Sequence, residues 1–142
     1  MYMFKVILLG DPLTGKSTFL NSSSNNVQIK YDTNYGAVVF DCWEHTRNYS
    51  FADACFMFHT LLYPETWESV PRWEQEIKYN CGYLPIFIIG VCADHPVKKK
   101  LWQRNHFEIN AKDQKEKDAI FLQLAKLLMG RPDLELKIKK VN

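Results

Sequence analysis

The chain has 142 residues, 46% hydrophobic and 24% charged, with a formal net charge of +2. That length and composition fit one globular domain with a single core and leave little room for a second. The near balance of charge gives no argument for a dedicated nucleic-acid or membrane surface. It leaves Lys98-Lys99-Lys100 and Lys137, Lys139 and Lys140 as local patches, either solvated faces or a contact for an acidic partner.

In chain order, apolar runs alternate with helix-like stretches, which predicts a parallel α/β sheet. Phe4–Leu9 reads as a strand buried on both faces. The first ten residues lack a basic leader region and a small-residue cleavage site, so they predict a core strand instead of a signal or membrane span. A helix starts at Lys16–Leu20 and gives out in the polar run Ser22-Ser23-Ser24-Asn25-Asn26. Ala37–Trp43 and Ala54–Phe58 read as the next strands. Over Glu65–Tyr79, Trp67, Val70, Trp73 and Ile77 recur at helical spacing, with Pro71 marking an early turn or a kink. Leu84–Val91 and Phe107–Ile109 are further strands. Ala119–Met129 closes the domain as a helix offering Ile120, Leu122, Leu124, Leu127 and Leu128 to the core, and Gly130 with Pro132 stops it. Cys42, Cys55, Cys81 and Cys92 show no metal-ligand spacing and read as free, mostly buried thiols of a reducing compartment. The end, IKKVN, carries no prenylation box, so no lipid anchor is expected.

The motif that carries chemistry is Gly10-Asp11-Pro12-Leu13-Thr14-Gly15-Lys16-Ser17, the G-x-x-x-x-G-K-[ST] pattern between a buried strand and a helix. Backbone N–H groups of such a loop and the helix start surround phosphates with positive potential. Lys16 is expected to reach the β- and γ-phosphates and the Ser17 hydroxyl to hold Mg²⁺. Thr18 is either a phosphate contact or an ordinary first-turn residue. Pro12 removes one donor and Leu13 adds bulk, which tells more on catalysis than on binding.

With the loop placed, the chain resembles the Ras-like small GTPases, and within them the nuclear transport GTPases of the Ran type. GDPLTGKSTF is similar to that phosphate loop, and FDCWEH to the strand that opens the second switch. ADACFMF, ETWESVPRWEQEIKYN and LPIFIIGVCAD resemble the following strand, helix and base-recognition strand. FEINAKD and LAKLLMGRPDLEL look like the last strand and helix.

The resemblance implies a P-loop fold of the small-GTPase type over 1–142: a mostly parallel sheet, helices on both faces, and a truncated β2–β3 region. It implies GTP or GDP with Mg²⁺, and a monomer in nucleus and cytoplasm, with transport receptors or an exchange factor as partners. Base recognition falls on Val91-Cys92-Ala93-Asp94, where Asp94 either keeps the guanine-reading carboxylate or is a turn residue before Pro96, and on Asn110-Ala111-Lys112. Lys112 is also readable as a solvated first-turn residue. The second switch becomes Glu44-His45-Thr46-Arg47-Asn48: Glu44 stands on the Mg²⁺ side, with Asp41 as the alternative acid. Arg47 replaces a glycine, or serves as an arginine finger in cis. Asn48 replaces the water-orienting glutamine. In the shortened first switch, Asn34 aligns with the Mg²⁺-binding threonine and Thr33 lies one residue early. The residues missing after Gly36 are expected to remove most of a β-hairpin.

Three functions follow as expectations. The first is a guanine-nucleotide-binding protein that hydrolyses GTP slowly or not at all, with Lys16 and Asn48 as its catalytic candidates. The second is a pseudo-GTPase module competing for Ran partners, and the third an ATP-using P-loop kinase.

Overall fold

The computed structural model describes residues 1–44, 49–92 and 105–137. Its central strand is β1 (Tyr2–Gly10), whose Val6, Ile7, Leu8 and Leu9 are buried on both faces. Five further strands build the sheet: β2 (Asn26–Thr33), β3 (Gly36–Glu44), β4 (Ala54–Thr60), β5 (Ile86–Cys92) and β6 (His106–Asn110). The spatial order is β2-β3-β1-β4-β5-β6, parallel throughout except for the antiparallel β2–β3 hairpin at one edge. All five parallel strands therefore end on one side, the side where ligands of open α/β sheets bind.

Helices cover both faces. The five-residue α1 (Lys16–Leu20) and α4 (Gln114–Met129) pack on one, where Phe19 meets Phe56, Phe58 and Phe121 at centroid distances of 5.3–5.8 Å. The one-turn α2 (Glu65–Glu68) is followed at once by α3 (Val70–Cys81), whose Val70 and Ile77 join Ile7, Leu9, Cys55 and Met57 in the core on the other face. In α4, the Asp113 carboxylate accepts from the Lys115 and Glu116 amides at its start, and Gly130 at φ 62° ends it. The four cysteines are free thiols, three of them buried. Among the described residues no helix is long and apolar enough to cross a membrane.

Several expectations shift. The hairpin is not lost: β2 and β3 pair over eight residues, Asn26↔Trp43 to Thr33↔Gly36, around the two-residue turn Asn34-Tyr35. Val27, Ile29, Tyr31 and Thr33 alternate with Gln28, Lys30 and Asp32, a strand period hidden by the switch-like look of Tyr31–Gly36. α1 has a single full turn, and only nine residues, 45–53, connect β3 to β4 across β1. Within that crossover Tyr49 is buried against α3, and its hydroxyl donates to Glu76 at 2.9 Å.

The predicted helix over Glu65–Tyr79 breaks at Ser69, because Pro71 belongs in a first turn, where its missing N–H costs nothing. Trp67 thereby leaves the α3 face. It lies half exposed, stacked 5.2 Å from the His106 ring. Leu127 on α4 is 55% exposed, while Phe121 takes a central core place.

Candidate functional site

The phosphate loop follows the carboxyl end of β1. Gly10 sits at φ 144° against β4, and a Cβ there would come within 2.5 Å of the Phe58 carbonyl oxygen. Gly15, at φ 91°, precedes α1. A Cβ on it would lie 3.1 Å from Val91 Cγ1. Both positions demand glycine, for close approach and for backbone conformation. Leu13 also takes a positive φ, 63°, and its side chain points into solvent.

Lys16 is the centre of the loop and is 5% exposed. Its ammonium donates to the Asp11 carbonyl at 2.8 Å, the Gly10 carbonyl at 3.0 Å and Thr14 Oγ1 at 3.2 Å. Burial lowers its pKa, opposed by the charges of Glu44 and Asp11. Thr14 is itself buried and donates to the Asp11 carbonyl at 2.8 Å. Ser17 Oγ lies 3.3 Å from both carboxylate oxygens of Glu44, the buried last residue of β3. Pro12 to Thr18 and Glu44 line a concavity of about 350 Å³. A hydroxyl and a carboxylate converging beside a buried ammonium fit a hard divalent cation and a phosphate, since both classes of oxygen ligand and cationic donor are present.

The structure brings Glu44, not Asp41, to Ser17. Asp41 accepts from Asn26 Nδ2 at 2.8 Å and Trp43 Nε1 at 2.9 Å. Thr33 does not reach the site. It lies at the hairpin turn, bonded to the Gly36 carbonyl at 2.7 Å, eight residue steps along β3 from Glu44. At ~3.3 Å per residue that is about 26 Å. Thr33 is therefore corrected to the last residue of β2, with Asn34 in the hairpin turn beside it: a metal ligand cannot stand at the opposite end of the strand.

Asp11 is tied to α3, accepting from Trp73 Nε1 at 3.0 Å and Arg72 Nη2 at 3.2 Å. Burial works to raise its pKa, but hydrogen bonds from Ser69 and Trp73 and the charges of Arg72 and Lys16 hold it below the ordinary value. The sequence places Trp73 on a helix face but carries no sign of this clamp. Nor does it reveal that Val91, standing where the family pattern has an amide side chain, buttresses Gly15 instead.

At the end of β6, the Asn110 amide donates to Glu116 Oε2 at 2.8 Å, and Asn110 Oδ1 accepts from the Lys112 amide at 2.9 Å. Ala111 between them is buried, and Lys112 is exposed. Cys92 pairs with Asn110, so this turn stands one strand beyond the one that touches the loop. Asp94 and Asn48, with His45, Thr46, Arg47 and Ala93, lie outside the described residues.

Sheet order, phosphate loop and helices on both faces define an α/β P-loop domain of the small-GTPase type. No protein-family model matches the chain. It is similar to the Ras-related protein Rab-19 of Bos taurus, 27% identical over 178 aligned positions that span 95% of this chain and 79% of that protein. The alignment is longer than the chain, so stretches of the relative have no counterpart here. The likeness supports the Ras-like small GTPase superfamily.

Proposed function

We propose that this protein binds GTP and GDP with Mg²⁺ at the phosphate loop and hydrolyses GTP slowly or not at all. The observation that carries the reading is the meeting of buried Lys16 and Glu44 with the exposed Ser17 hydroxyl around one concavity at the carboxyl edge of the sheet. Bound phosphates would give Lys16 charged acceptors in place of neutral ones, which are roughly twice as strong. Mg²⁺ would be held by Ser17 and Glu44, and would supply charge neutralisation for the phosphates. Asp94 would select guanine, and Asn110-Ala111-Lys112 would close around the base. Slow hydrolysis follows from Asn48 replacing a glutamine and Arg47 a glycine.

The finer assignment is a Ran-type monomer of nucleus and cytoplasm that meets transport receptors or an exchange factor. The run LAKLLMGRPDLEL supports it, whereas the similarity to a Rab-named protein supports only the superfamily. The nine-residue β3–β4 connection favours a second reading, a pseudo-GTPase module with no nucleotide cycle. So short a crossover leaves little chain to move between two nucleotide states.

Titrating nucleotide-free protein with fluorescent GTP, GDP and ATP, with and without Mg²⁺, tests the proposal. Guanine-selective, Mg²⁺-dependent binding is expected. Absence of binding at high micromolar concentration favours the module, and ATP displacing GTP favours a kinase. Unassisted turnover at the rate of an assisted GTPase would overturn the slow-hydrolysis half.

A further inference from the structure

Between Gly10 and Ser17 stands one acidic side chain, Asp11, inside the loop proposed to cradle phosphates, and a free carboxylate there would repel them. Its polar groups are divided between two elements. The main-chain carbonyl accepts from the Lys16 ammonium and from Thr14 Oγ1, each at 2.8 Å. The carboxylate is taken up by the start of α3. Trp73 Nε1 donates to its Oδ1 at 3.0 Å and Arg72 Nη2 at 3.2 Å, with Ser69 as a further donor. Arg72 also lies 5.5 Å over the Trp73 ring, so the two side chains brace each other. Burial works to raise the Asp11 pKa, but these bonds and the charges of Arg72 and Lys16 hold it below the ordinary value. The group is therefore anionic at neutral pH. The Asp11 side chain is 18% exposed and that of Arg72 70%, so a surface cation compensates a charge set within the loop.

We propose that Arg72 and Trp73 are positioning residues for nucleotide: they hold the Asp11 carboxylate on α3, compensate its charge, and so let a triphosphate sit in the loop. This role rests on nucleotide binding at the loop, and adds α3 to the groups that shape it. Lys16 and the loop amides attract the anion, while the Arg72–Trp73 pair neutralises the side chain of the motif that opposes it. With the pair gone, the same carboxylate is free to turn toward the phosphates. Its repulsion then grows with the charge of the ligand and falls with ionic strength.

Titration of Mg²⁺-GTP and Mg²⁺-GDP into the native chain, R72Q, W73F, D11N and the double variants D11N/R72Q and D11N/W73F tests it, with urea unfolding of each as the control for folding. Arg72 is largely exposed, so R72Q carries the test even where W73F fails to fold. In the native background, Arg72→Gln and Trp73→Phe should each weaken GTP binding by roughly three- to tenfold, and GDP binding less. The loss should shrink as salt rises. In the Asp11→Asn background the same substitutions should cost less than about twofold, because no charge is left to hold. Equal losses in both backgrounds would overturn the proposal, since Arg72 and Trp73 would then act on the anion or on the fold directly. So would native affinity in R72Q and W73F, or a loss indifferent to salt. A native chain that binds neither nucleotide would fail earlier, at the nucleotide function itself, and would take this role with it.

Discussion

Lys16 has three N–H bonds to give, and all three go to oxygens of its own loop. This pre-positions the ammonium before any anion arrives, so removing it should cost binding far more than folding. Lys16→Ala should weaken GTP binding by roughly 10–100-fold, the worth of a charge-assisted bond of about 1.5–3 kcal/mol. Ser17→Ala and Glu44→Gln should each reduce the Mg²⁺-dependent part of affinity by roughly tenfold, measured by titration at fixed nucleotide. Gly10→Ala is different in kind. Its Cβ would strike the Phe58 carbonyl, so it should lower folding stability by about 1–3 kcal/mol or more in urea unfolding. At this scale the sequence was most legible where a motif encodes a mechanism, as from Gly10 to Ser17. Contacts between distant segments were not legible. Neither the hold of Trp73 and Arg72 on Asp11 nor the packing of Val91 on Gly15 leaves a periodicity or spacing to read. Thr33 was misplaced because a short switch-like string outweighed the plain alternation of a strand.

Among the elements, the strands and helices on the open side of the molecule hold a second buried polar cluster. His59 on β4 is 4% exposed, with its Nε2 3.0 Å from His106 Nε2 and, among the described residues, no hydrogen-bond partner for its Nδ1. Trp67 covers both rings from α2. Burial first, and the neighbouring His106 second, push the His59 pKa from 6.5 down to about 4. A depressed folded-state value means that the native state binds fewer protons than the unfolded chain. The contribution of His59 is therefore complete above pH 6.5 and is lost as pH falls toward 4. Urea unfolding should show roughly 2 kcal/mol less stability at pH 5 than at pH 7.5 from this residue, and His59→Leu should flatten that slope. The short β3–β4 connection makes its own prediction. Tyr49→Phe removes the bond to Glu76 and should cost about 1 kcal/mol in the same assay. Element types were readable because apolar runs and helical spacing are local. The break at Ser69 was half readable, since Pro71 announces a boundary but not how Trp67 will turn.

For the whole molecule, strand order followed from the sequence only through resemblance, whereas the parallel class followed from alternating runs. The shortening was expected to remove most of the hairpin, but β2 and β3 keep a ladder of eight pairs. The account stands on the phosphate loop at the carboxyl edge of the sheet, with Lys16, Ser17 and Glu44 around it. The most direct test is calorimetric titration of Mg²⁺-GTP into the native chain and into Lys16→Ala, with urea unfolding of both as a control. Saturable binding by the native protein, lost or strongly weakened in a variant that unfolds at the same denaturant concentration, is the predicted result. Native protein that takes up no nucleotide at high micromolar concentration, or a variant that binds equally well, would contradict it.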